Sequence, residues 1–225
     1  MHLPGFVTII LSALTLALAV PTGKDHGCSV SHAKLDLPDT QAISIPDGVK
    51  PEYIVLAIGT QNYTCTNAGN YSTSGVLSIL IDISCLHASN STAFEDVQNS
   101  AYNLFLTSQN EMPTLNQIQG AIGYPPFILG DHYFTPRAST IAPEFDFRKS
   151  QEGNADAFVI GRQVGGIPSP EGSQNIDWLQ LEATEGQLAK YIYRVDTRGG
   201  QPPESCSGEG QDRIVPYTAK YWFFD

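Results

Sequence analysis

The sequence predicts a mainly β domain, an antiparallel sandwich or barrel-like body with one helical insertion, and three observations predict it. Short runs of alternating apolar and polar residues recur along the chain. The connections between them are rich in turn formers, the whole chain having 20 Gly and 15 Pro. The 4 cysteines, an even number, suit a stapled domain in an oxidising compartment.

The pattern is densest at the C-terminal end. From Ile176 to Ala183, Leu179, Leu181 and Ala183 share one face. After Glu185-Gly186, a turn signal, Gln187 to Thr197 places Ala189, Tyr191, Tyr193 and Val195 on one face and Lys190 and Arg194 on the other, completing a hairpin. From Ile214 to Asp225, Val215, Tyr217, Ala219, Tyr221 and Phe223 recur at every second position, a third strand.

Upstream, Tyr53 to Ile58 is a continuous apolar run that suits a strand buried on both faces. Gln61 to Thr66 continues it, and Val76 to Ile83 alternates with Leu77, Ile79, Ile81 and Ile83 on one side and Ser78 and Asp82 on the other. Residues 86–130 form a partly helical excursion. Thr92 with Glu95 has the capping-box spacing, so a helix is expected over Ala93 to Thr107, with a shorter turn carrying Leu115, Ile118 and Ile122. Gly130 to Phe134, Phe145 to Phe147 and Ala157 to Gly161 read as further strands, and Gly165, Gly166, Pro168, Pro170 and Gly172 as a loop.

Residues 1–19 read as a secretory leader: an uncharged run from Phe6 to Val20 with Ala17-Leu18-Ala19 as the cleavage site. At about fifteen residues the run is short of a bilayer span. Residues 20–225 are then expected to form a single secreted domain with no membrane span. Among the possible cysteine pairings, Cys28 with Cys206 and Cys65 with Cys85 is preferred, the latter closing a local loop worth about 3 kcal/mol. Asn62, Asn70 and Asn90 each head a glycosylation sequon. The net charge of −11, from 12 basic against 23 acidic residues, disfavours nucleic acid and anionic lipid surfaces as partners.

Four stretches carry a resemblance: GTQNYTC at 59–65, GDHY at 130–133, IDWLQL at 176–181, and the run from Tyr193 through Phe224. Together, from Pro51 to the C-terminus, they resemble the secreted bacterial and fungal family catalogued as domain of unknown function 3455. Fungal members often carry the product name malate dehydrogenase, a label with no established family activity behind it. The residues argue against that activity. A dinucleotide site needs G-x-G-x-x-G between a strand and a helix, and no such stretch occurs in the sequence. No cofactor is expected. The chain also departs from the many members in which G-P-T-W follows the GDHY-like motif, having Thr135-Pro136-Arg137-Ala138 instead.

Candidate site residues are few. His26, His32, His87 and His132 show no metal-ligand spacing, so no metal is expected. His132 beside Asp131 is the candidate catalytic pair. Glu144 and Asp146, two apart, are capable of sharing a strand face like paired acid/base carboxylates, although an acidic loop is the commoner explanation. Arg194, Asp196 and Arg198 are expected to share a face, with Asp196 pairing both arginines to order Gly199-Gly200. Trp222 and Phe224, left over from the core pattern, suit stacking on a sugar, and Arg137 is a further binding candidate. The expected function is an extracellular or wall-associated binding or structural module, with carbohydrate or wall polymer as partner. The alternative is an extracellular enzyme centred on His132 and Asp131.

Overall fold

The computed structural model describes residues 27–39, 42–108, 111–123, 125–138, 140–207 and 211–225. The expected leader, His26 and part of the loop after Cys206 lie outside them. Eight strands close into a barrel in sequence order: β1 (Pro51–Cys65), β2 (Tyr71–Asp82), β3 (Ile128–Pro136), β4 (Ile141–Asp146), β5 (Phe158–Ile167), β6 (Trp178–Gly186), β7 (Tyr191–Gly199) and β8 (Asp212–Phe224). All neighbours are antiparallel, and β8 pairs with β1 to complete the ring, which leaves no long open edge. Closure chooses the barrel over the sandwich. Among the described residues the sheet contains no parallel strand–helix–strand unit, the scaffold on which a dinucleotide site depends.

Between β2 and β3 lie α1 (Ser84–Ser89), α2 (Ser91–Thr107) and α3 (Leu115–Ile122), so the helical excursion holds three helices. Thr92 does not cap α2. Asn90 does, its side chain accepting from the Ala93 N–H at 3.0 Å, while a complete capping box forms at Thr114 and Gln117 on α3.

The helices explain why alternation alone misleads about which face is inside. Two cores exist. One fills the barrel and draws on every strand: Val55 and Ala57 from β1, Leu80 from β2, Leu129 from β3, Phe145 from β4, Val159 from β5, Leu181 from β6, Ile192 from β7, and Tyr217, Ala219, Tyr221 and Phe223 from β8. The other lies outside the wall, where Ile54, Leu56, Ile58, Ile81, Tyr193, Val195, Trp222 and Phe224 are covered by Leu86, Phe94, Val97, Phe105 and Ile118 of the helices. With apolar cover on both sides, the more polar side of β2 and β7 turns inward. Ser78 bonds Tyr217 inside the barrel at 3.1 Å, and Arg194 shares the inner face with Ile192.

Gly165 and Gly166 belong to β5 rather than to a loop. A Cβ on Gly165 would lie 2.1 Å from the Ala42 carbonyl, so glycine is there to let the N-terminal segment approach. The disulfides also differ from expectation, joining Cys28 to Cys85 and Cys65 to Cys206. The β1–β2 hairpin dictates this. Cys65 pairs with Tyr71 at the turn, whereas Cys85 follows Asp82, which pairs with Val55 at the far end, so the two thiols stand roughly 30 Å apart along the strands.

Candidate functional site

One end of the barrel is plugged by rings. Phe145, Phe147, Tyr53 and Phe223 meet edge to face or tilted with centroids 5.3–5.4 Å apart. Towards the other end the lumen opens into a cavity of about 900 Å³. Its lining mixes Phe134, Ile141, Pro143, Leu179 and Leu181 with Gln61, Tyr63, His132, Arg194 and Tyr221. The opening has a cause in the sheet. β4 pairs with β5 only over Glu144–Asp146 and Phe158–Ile160, so Ile141–Pro143 and Gly161–Gln163 diverge, and both segments line the cavity.

Register sets the polar groups. Arg194 stands across from Leu179 on β6 and from Tyr221 on β8, all three on the inner face. The Arg194 Nε–H donates to the Asp177 carbonyl at 3.0 Å. Tyr63 donates to the Gly200 carbonyl at 2.7 Å, and burial pushes its phenol up to about 12 against a smaller opposing pull from Arg194. Tyr217 is pushed well above the usual tyrosine range by burial first and by the neighbouring Tyr221 phenol second. The Tyr221 hydroxyl is buried beside the Tyr217 phenol.

His132 lies in the same wall. Its ring stacks on Phe145, and its Nδ1–H donates to the Glu144 carbonyl at 2.8 Å. Burial is the main cause that lowers its pKa to about 3, so the ring is neutral at physiological pH. Asp131, its expected partner, is on the outer face, where its carboxylate takes Lys149 at 2.7 Å. Strand alternation separates the two, and they do not form a pair. Glu144 and Asp146 do share a face, the outer one, but Tyr133 and Arg148 hold both: Tyr133 donates to each at 3.1 Å, and Arg148 pairs with Asp146 at 2.7 Å and with Glu144 at 3.1 Å. The Arg148 hydrogen bond holds the Asp146 carboxyl below its usual range, the signature of a structural ion pair.

Two further expectations are corrected. Trp222 and Phe224 are 2% and 3% exposed, Trp222 meeting His87 and Phe94 edge on beneath the helices, so neither offers a face to a sugar. The Arg194, Asp196, Arg198 triad is broken by a register shift between Val195 and Arg198, where Asp196 takes φ 51 and turns outward to Lys220 at 3.0 Å. Arg198 bonds Asn99 and lies 3.7 Å from Glu171. Arg137 does line the cavity, paired with Glu185 at 3.1 Å. Sequence reasoning missed Arg194, Tyr221, Tyr63 and Gln61 as site residues; the signal for Arg194 was its position two residues from Ile192 on the strand.

Among the sequon residues, Asn70 and Asn90 are exposed and Asn62 is partly buried on the outer face of β1, across from Gly75 on β2 and exposed Ile214 on β8. Among the described residues no histidine, cysteine or carboxylate cluster is able to hold a metal, and no helix is long and apolar enough to cross a membrane.

These features define an up-and-down antiparallel β-barrel with a cavity at one mouth. Residues 46–225 match the family model described as Protein of unknown function (DUF3455), and the chain belongs to that family. No curated protein and no solved structure matches the chain.

Proposed function

We propose that the protein is an extracellular binding module that takes a small molecule into the barrel mouth. The observation that carries this reading is the cavity itself. Its volume, about 900 Å³, is within the range of ligand sites, and its lining mixes apolar side chains such as Phe134, Ile141 and Leu179 with polar ones, so it is able both to cover a ligand and to orient it. Both disulfides, the leader-like N-terminus and the sequons support an extracellular address. The enzyme reading centred on His132 and Asp131 loses its geometric basis, because the two side chains occupy opposite faces of β3.

N-phenyl-1-naphthylamine, a neutral fluorescent apolar probe, tests the proposal. Its emission should rise saturably on addition of the protein, and Leu179→Trp, which narrows the cavity, should weaken the rise. Equal emission with the variant, or no rise with the wild type, would contradict it.

A further inference from the structure

We infer that the ligand is an amphipathic monoanion whose carboxylate is held by Arg194 and whose apolar body lies along Leu179, Leu181 and Pro143. This rests on the small-molecule reading above and names the chemistry it selects.

Three observations converge on Arg194. Its inward position is fixed by register between Leu179 and Tyr221. Among the described residues only its Nε–H is engaged, on a backbone carbonyl at 3.0 Å, and no carboxylate forms an ion pair with it. The other arginines on the lining are already paired, Arg137 with Glu185 at 3.1 Å and Arg162 with Glu182 at 2.6 Å. A guanidinium presents its remaining N–H groups as a planar fork that matches a carboxylate, so Arg194 has the geometry and the unused donors for an anion.

Tyr221 lies across the strand pair from Arg194 and lines the cavity, its phenol beside that of Tyr217. The groups that face this position are accounted for. His132 is neutral, with its Nδ1–H committed to Glu144, and so adds no second cation. Asp177 is exposed at the rim, and Glu185 is neutralised by Arg137. Phe134, Ile141, Pro143, Leu179 and Leu181 on the lining give the apolar body of such a ligand a surface to cover. The overall charge of −11 disfavours indiscriminate anion uptake, so any preference for an anion must be local.

Displacement of bound N-phenyl-1-naphthylamine by decanoate and by decanol, at pH 7.5, isolates the head group. Decanoate should displace the probe about tenfold more tightly than decanol, the scale of one charge-assisted contact. Arg194→Gln should bring that ratio close to one, with circular dichroism reporting the fold of the variant. Equal displacement by both compounds in the wild type, or an unchanged ratio in Arg194→Gln, would overturn the inference while leaving probe binding, and with it the binding reading, intact.

Discussion

The imidazole of His132 lies flat against Phe145, 4.0 Å between centroids and 4° between planes, with its Nδ1–H on the Glu144 carbonyl. That sandwich makes the histidine a wall element of the barrel and gives it a pH signature. Its pKa is lowered to about 3 in the folded protein from an ordinary 6.5, so between those values the unfolded chain binds more protons than the native one. Stability from this site is complete above about pH 6.5 and is lost as pH falls towards 3, with a slope of up to about 1.4 kcal/mol per pH unit. Urea unfolding from pH 7 to 4 should show this slope, and His132→Asn, which keeps a donor for the carbonyl, should flatten it.

Lys220 is fully buried between β8 and α2, its ammonium 3.0 Å from Asp196 and 4.3 Å from the centre of the Phe94 ring. Asp196→Asn would leave that charge buried without its counterion and should cost about 3–5 kcal/mol in urea unfolding. Lys220→Met combined with Asp196→Asn should cost less than Asp196→Asn alone. Simple addition of the two single effects would count against the pairing.

The disulfides span 57 and 141 residues, long loops whose closure constrains the unfolded chain strongly. Non-reducing peptide mapping should recover Cys28 with Cys85 and Cys65 with Cys206. Replacing Cys65 and Cys206 together by Ser should lower stability by about 2–5 kcal/mol.

Asn90 has two separable roles, a sequon and the cap of α2. Asn90→Ala should cost about 1 kcal/mol in protein made without glycosylation, and Asn90→Asp should cost little, because aspartate caps equally well.

The strands were largely legible because turn chemistry and alternation bracket them. Tyr217, Ala219, Tyr221 and Phe223 were read as one face of the last strand, and they form one side of the barrel core. What alternation cannot reveal is which face looks inward when helices cover the outside. Tyr193 and Val195 do share a face, yet it packs under the helices, and the opposite face with Arg194 lines the lumen. Ring closure is equally silent in the sequence, since pairing of β8 with β1 joins residues far apart in the chain. The candidate site was therefore only partly visible: His132 and Arg137 do line the cavity, whereas Asp131, Trp222 and Phe224 do not. The disulfide pairing failed for a related reason, a short loop being favoured where a rigid hairpin holds its ends apart.

The most direct measurement of the central claim is amide chemical-shift mapping of the ¹⁵N-labelled protein titrated with N-phenyl-1-naphthylamine. Binding in the barrel predicts saturable shifts concentrated at Gln61, His132, Leu179, Arg194 and Tyr221. Shifts confined to the outer wall around exposed Leu77 and Ile214, or none at all, would contradict it.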